Sequence, residues 1–133
     1  MKSFSNKWIA SSKKKKQVKY RAKAPLHIKH KMLAVNLIED LRKKYSRRNF
    51  PVRKNDKVKV MVGKFEGKEG KVEKVDMKKL KVSIEGLQVQ KKDGTKVHVF
   101  FQPSNLQILE LNLDDKKRIE AIKINMQEKK WPT

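Results

Sequence analysis

Three sets of residues have types and spacing that invite chemistry: a glycine cluster, three histidines, and a large excess of lysine and arginine. The cluster Gly63-Lys64-Phe65-Glu66-Gly67-Lys68-Glu69-Gly70 resembles a phosphate loop at first sight. It misses the pattern on two counts. Only three residues separate Gly63 from Gly67-Lys68, one too few, and Glu69 stands where a hydroxyl must hold magnesium. His27 and His30 lie one helical turn apart, but no carboxylate or third imidazole is at metal-ligand spacing, and His98 is remote from both. These imidazoles suit a phosphate contact or half-buried packing, so neither a metal nor a cofactor is expected. The carboxylates are interleaved with lysines, as in Lys68-Glu69 and Lys71-Val72-Glu73-Lys74, which is how a solvated strand face reads. Nothing pairs a general acid with a general base, and no catalytic residue is expected.

The cations remain. Thirty-six Lys and Arg against fourteen Asp and Glu leave +22 on 133 residues, about one net charge in six. Like charge at that density opposes compaction and is tolerated where a polyanion neutralises it, so nucleic acid is the expected partner. Its distribution is uneven. Residues 1–38 hold eleven basic residues and no acidic one, and the net charge then falls to +5 over 39–57, +4 over 58–112 and +2 over 113–133. A block of unopposed like charge repels itself, so residues 1–24 are expected to form an extended basic arm. Its cluster Lys13-Lys14-Lys15-Lys16 fits a phosphate-neutralising extension, a nuclear localisation signal or a solvated tail. Trp8 and Tyr20 offer rings either for base stacking or for packing on the folded part.

One domain with tails is expected from the length, with a small core from the 37% apolar content. There is no cysteine, which excludes disulfides and thiol nucleophiles and suits a reducing compartment. The longest strictly apolar run, Met32 to Val35, is far short of the ~20 residues that span a bilayer. Neither a membrane span nor a secretory signal is expected. A membrane-surface role lacks an apolar stripe in the arm.

A helical period is expected over 25–46, as two short helices or one bent one. Pro25 suits a first turn, Leu26, Ile28, Met32 and Leu33 form an imperfect stripe, Asn36 with Glu39 reads as a capping box, and Leu37, Leu41 and Tyr45 repeat at four-residue spacing. Pro51 then pushes Phe50 into an extended conformation. From Val52 the period becomes 2, predicting strands around Val58–Val62, Lys71–Val75, Leu80–Glu85, Leu87–Gln90, Lys96–Phe101 and Leu106–Leu111. Asp93-Gly94 supplies positive φ for a hairpin. Short strands at such spacing predict a mainly β fold, a small antiparallel barrel over 51–112. A last helix and tail occupy 113–133, opened by Asp114 and Asp115, with Ile119, Ile122 and Met126 on one face.

The stretch Asn55 to Val75 resembles the KOW motif, with Gly67 matching that family's fixed glycine. Glycine suits the tight turn between two barrel strands because it enters positive φ cheaply, and without a Cβ it lets backbone amides approach a phosphate. Ala24-Pro25-Leu26-His27-Ile28-Lys29, Leu41-Arg42-Lys43-Lys44-Tyr45, Pro51-Val52-Arg53-Lys54-Asn55-Asp56, Asp93-Gly94-Thr95-Lys96-Val97-His98-Val99 and Pro103-Ser104-Asn105-Leu106 extend the likeness. Together they resemble the eukaryotic and archaeal long form of the single-KOW protein of the large ribosomal subunit, over roughly residues 20 to 123. Where such proteins often have a Ser-Pro pair, this chain has Ala34-Val35-Asn36.

The resemblance implies an SH3-like barrel and a structural ribosomal protein that binds rRNA near the polypeptide tunnel exit and supports subunit assembly. It further implies neighbouring ribosomal proteins and targeting factors as partners, and a cytoplasmic ribosome, reached through the nucleus and nucleolus in a eukaryote. The expected RNA contacts are Lys13, Lys14, Lys15, Lys16, Lys19, Arg21 and Lys23 of the arm, and His27, Lys29 and Lys31 of the first helix. Arg47, Arg48 and Arg53 before the barrel, and Lys64, Gly67, Lys68 and Lys71 about the glycine loop, complete the set. Lys91, Lys92, Asp93 and Gly94 are assigned to the tunnel-exit rim. The competing reading is a KOW module of a transcription-elongation factor, which normally sits among further domains.

Overall fold

Alternation in Lys57-Val58-Lys59-Val60 requires both valines to share a face. In the structure, a computed structural model describing residues 4, 5, 7 and 11–127 and side chains as far as 123, both are fully buried. Expectations for Lys2, Trp8, the Met126 side chain and the tail beyond 127 lie outside those residues. Strand β3 (Lys57–Val60) pairs antiparallel with β4 (Glu69–Asp76) on one side and β7 (Leu106–Glu110) on the other. β4 continues the sheet to β5 (Lys81–Gln90), and β5 to β6 (Lys96–Phe101).

The sheet curls because β4 and β5 bend. β4 pairs with β3 up to Lys71 and with β5 from Val72, and the register shifts at Val72/Lys74 and again at Ser83/Gln88 between β5 and β6. Irregularities of this kind bend a strand and increase its twist. The two strands expected at 80–85 and 87–90 are therefore one bent strand, with Gly86 at φ +78 inside it. Gly70 permits the close crossing: a Cβ there would stand 2.6 Å from Ile84 Cγ2 and 3.0 Å from the Glu85 carbonyl oxygen. The barrel-like wall encloses Val58, Val60, Val72, Val82, Ile84, Phe101, Leu106 and Ile108.

The helical expectation for 25–46 is corrected by a strand. Helices α2 (Leu26–Met32) and α3 (Glu39–Tyr45) flank β1 (Ala34–Leu37), which pairs antiparallel with β2 (Asn49–Pro51) and parallel with β7. The sheet is thus mixed, in the order β2-β1-β7-β3-β4-β5-β6, and its core draws on residues before 51. Val35 and Leu37 point inward and Ala34 and Asn36 outward. The long-range edge of β7 decided this segment, because an apolar run this short suits either a helix or a strand. Asn36 is consequently no helix cap; Ile38 holds that position, and Glu39 and Asp40 supply the first-turn charge favoured by the helix dipole. Leu26, assigned to the apolar stripe, is exposed. Pro51, lacking an N–H, sits on the outermost strand, where none is needed for a second neighbour.

The basic arm is also corrected: Lys14–Lys23 is a helix, α1, and not extended chain. The final helix α4 (Lys116–Gln127) starts where the acidic pair predicted, with Asp115 Oδ1 accepting the Lys117 N–H at 3.0 Å. Its Ile122 is buried in the same core.

Candidate nucleic-acid interface

Beside the candidate interface lies a charge clamp that holds α4 onto the sheet. Asp56 lies in the turn before β3, with none of its surface exposed. Arg118 reaches it from the first turn of α4 as a bidentate pair, Nη1 to Oδ1 and Nη2 to Oδ2, both at 2.7 Å. The backbone N–H groups of Arg53 and Asn112 donate to the same carboxylate at 2.8 and 2.9 Å. Arg118 donates further to the carbonyls of Asn112 at 2.8 Å and Pro51 at 3.2 Å. A buried charge must be paired and hydrogen-bonded, and all four hydrogen bonds to Asp56 are made by this arrangement.

Around the clamp runs a groove of about 610 Å³ between α2, the β1–β2 edge and α4. Six cations line it, Lys31, Arg47, Arg48, Arg53, Lys117 and Arg118, and among the described residues no carboxylate does. Arg118 is neutralised by Asp56, and Arg53 is ion-paired with Asp115, whose carboxyl that side-chain hydrogen bond holds below the usual carboxylate range. Lys31, Arg47, Arg48 and Lys117 have no carboxylate partner among the described residues. Phe50 fixes part of the wall, with the guanidinium groups of Arg47 and Arg118 each 5.3 Å from its ring centre. An array of cations without counter-charge, on a rigid wall, suits the phosphates of a folded nucleic acid.

His30 lines the groove, half-buried. Burial lowers its pKa from 6.5, and the charges of Arg53 and Arg118 lower it further, so the ring is neutral at pH 7. A neighbouring cavity of about 620 Å³ shares His30, Arg53 and Arg118, but Glu73, Asp114 and Asp115 offset its cations. Among the described residues no three of His, Asp and Glu stand together as metal ligands.

Of the residues singled out from sequence, the structure gathers Lys31, Arg47, Arg48 and Arg53 into the groove. Lys14, Lys15, Lys16, Lys19, Arg21 and Lys23 are exposed around α1, with Lys13 at its start, and His27 is exposed on α2. Lys29 lies nearer the protein, its Nζ 3.5 Å from the Ala22 carbonyl oxygen. Lys64, Gly67 and Lys68 occupy a separate place, the loop at the far end of β3 from Arg53. There Gly67 takes φ +79 and donates its N–H to Val60 O at 2.9 Å. Lys68 Nζ lies 5.2 Å from the ring centre of Phe65, and Lys71 is exposed on β4. Lys91, Lys92, Asp93 and Gly94 form the exposed tip between β5 and β6; Asp93 accepts hydrogen bonds from the Thr95 hydroxyl and, less effectively, the Thr95 N–H, which lower its pKa. Sequence reasoning missed Asp56, Lys117 and Arg118. For Lys117 and Arg118 the available signal was a basic triplet immediately after an acidic helix start, and Asp56 lay within the KOW-like stretch with nothing in the sequence to mark its burial.

The model of a family described as the eukaryotic ribosomal proteins L26 and their archaeal counterparts matches residues 11–125. Two relatives each named large ribosomal subunit protein uL24 align over most of both chains. The one from Methanosphaera stadtmanae is 45% identical over 112 residues, covering 84% of this chain and 96% of its own. The one from Sulfolobus acidocaldarius is 44% identical over 114 residues, covering 86% and 85%. Fold, charge and these alignments agree, and the chain belongs to this eukaryotic and archaeal family of large-subunit ribosomal proteins.

Proposed function

We propose that the chain is a structural constituent of the large ribosomal subunit that binds and stabilises rRNA, with the groove beside the Asp56–Arg118 clamp as its principal phosphate contact. The observation that carries this reading is that four of the cations lining the groove, Lys31, Arg47, Arg48 and Lys117, have no carboxylate partner among the described residues. Phosphate contacts fix register and orientation, and a rigid wall supplies the shape by which folded RNA is recognised. The role is binding and assembly, not turnover. Lysines of α1 and of the β3–β4 loop add affinity at positions apart from the groove. The resemblance further supports a seat near the polypeptide tunnel exit, with the Lys91 to Gly94 tip toward the rim. Neighbouring ribosomal proteins and visiting targeting factors are the further partners, in cytoplasmic ribosomes assembled by way of the nucleolus in a nucleated cell. Family membership counts against the elongation-factor reading.

Two measurements test it. Sedimentation of cell extract should place the chain with large subunits and ribosomes, and a free or polymerase-bound pool would refute the assignment. In filter binding to the cell's own deproteinised large-subunit rRNA, Lys31, Arg47 and Arg48 changed to Ala should lower the slope of log affinity against log salt by about 2 units, at ~0.7–0.9 per phosphate lost. An unchanged slope would refute the groove.

A further inference from the structure

Helix α1 is anomalous by the physics of isolated helices. Six of its ten residues are basic, none is acidic and none is buried. Lys15 and Lys19, and again Lys19 and Lys23, stand at i,i+4, where like charges destabilise a helix. Ten residues are in any case too few for a stable helix in water without packing or a counter-charge.

What α1 faces supplies the reason. It forms one wall of a groove of about 650 Å³ whose opposite wall is the β4–β5 turn and the first residue of β5. Four cations line this groove, Arg21 from the helix and Lys78, Lys79 and Lys81 from across it. Among the described residues no carboxylate lines it, and Gln17 and Ser104 add hydrogen-bonding groups. The lysine wall is fixed in shape. Asp76 Oδ1 accepts the Lys79 N–H at 3.0 Å, and Leu80 takes φ +54, an uncommon conformation for a bulky side chain, while packing against the core. Strained backbone of this kind persists only where surrounding structure over-determines it. Its consequence here is that Lys78 and Lys79 are held out opposite Arg21. Ala34 lines both this groove and the one beside the clamp, so the two adjoin.

We infer that the groove between α1 and the β4–β5 turn is a second site for the sugar-phosphate backbone of RNA, built by Arg21, Lys78, Lys79 and Lys81. This inference rests on the reading of the chain as an rRNA binder and assigns that RNA a second, separate contact. RNA is favoured over an acidic protein segment because the cations are spread over two facing walls with hydrogen-bonding groups between them, and because the adjoining groove has the same character.

The test uses the full chain and the cell's own deproteinised large-subunit rRNA, with Arg21, Lys78, Lys79 and Lys81 all changed to Ala. A second variant, K78E/K79E, keeps Asp76 and Leu80 and with them the turn. Thermal melts of K78E/K79E should match the parent chain, since Arg21, Lys78 and Lys79 are exposed and only Lys81 is half-buried. In filter binding the four-residue variant should lower the salt slope by about 3 units, and K78E/K79E, which changes the net charge by the same amount, should lower affinity comparably. Hydroxyl-radical footprinting should show loss of one protected RNA segment while the segment protected by Lys31, Arg47 and Arg48 remains. If slope and footprint are unchanged in these variants but altered by the Lys31, Arg47 and Arg48 changes, the second site is wrong and the rRNA reading stands. If both sets leave them unchanged, the rRNA reading itself fails. Equal affinity of the parent chain for poly-glutamate or for phosphatidylserine vesicles, lost in the same variants, would assign the groove to another polyanion and overturn the proposal.

Discussion

Arg118→Met should cost about 3–5 kcal/mol of folding stability, a large share of the ~5–15 kcal/mol available to a domain of this size. The magnitude follows from what is left behind. Asp56 has no exposed surface and loses both 2.7 Å charge-assisted bonds, keeping only the neutral N–H donors of Arg53 and Asn112. A buried carboxylate with two neutral partners and no counter-charge is the costly half of a broken ion pair. Asp56→Asn should cost a similar amount, because it strands a guanidinium that is only 3% exposed. The double variant should cost no more than either single one, giving a coupling of roughly 3 kcal/mol in a double-mutant cycle read by urea denaturation. Hydrogen exchange should open α4 first, since Arg118 and the buried Ile122 are its main anchors. A single Arg118→Met loss below about 1 kcal/mol, or strict additivity, would show that the clamp does not hold the helix.

Gly70→Ala should destabilise by about 1–3 kcal/mol despite an ordinary φ, because its Cβ meets Ile84 and the Glu85 carbonyl; an unchanged urea midpoint would place β4 and β5 wrongly. Gly67→Val should lose on the order of 1–3 kcal/mol to strain at φ +79, although open space surrounds that position, and a neutral result in the same titration would contradict the turn. A fragment of residues 50–133 should not melt cooperatively, since it lacks the fully buried Leu33, Val35 and Leu37; far-ultraviolet dichroism against temperature decides. The folded state resists protonation of His30 while the unfolded chain does not. Its contribution is therefore complete above 6.5 and lost as pH falls through 6.5 toward the lower folded pKa, and His30→Gln should flatten that part of the urea midpoint against pH.

The strands from β3 onward were legible because their evidence is local. Val58 and Val60 alternate with lysines, Asp93-Gly94 marks a hairpin whose glycine does take φ +88, and Gly67 adopts the conformation its motif requires. β1 was not legible. Ala34 to Leu37 carries too few residues for a period to show, and its state was decided by the edge of β7, some seventy positions away in the chain. The helicity of α1 was equally hidden, because like charge argues against order in isolation and no local residue supplies the counter-charge.

The site divides along the same line, and the division has a physical cause. Composition alone was enough to predict a polyanion partner, since +22 is a sum that no arrangement of the chain can alter. Which cations act together is a matter of arrangement. Arg47 and Arg48 precede β2, Lys31 lies in the last turn of α2 and Lys117 in the first turn of α4, and the pairing of β1 with β2 and the docking of α4 bring them to one groove. Arg118 shows the limit most sharply. In sequence it is one more basic residue beside Lys116 and Lys117, yet its side chain is buried against Asp56 while Lys117, its neighbour, is exposed. A charge count credits both alike. The fold uses one to hold the helix and leaves the other exposed in the groove, so removing Arg118 should damage stability first and RNA affinity as a consequence, whereas Lys117→Ala should reduce the salt slope by about 0.7–0.9 with the urea midpoint unchanged. Were Lys117→Ala to shift the midpoint and leave the slope alone, this assignment of roles between the two neighbours would be reversed.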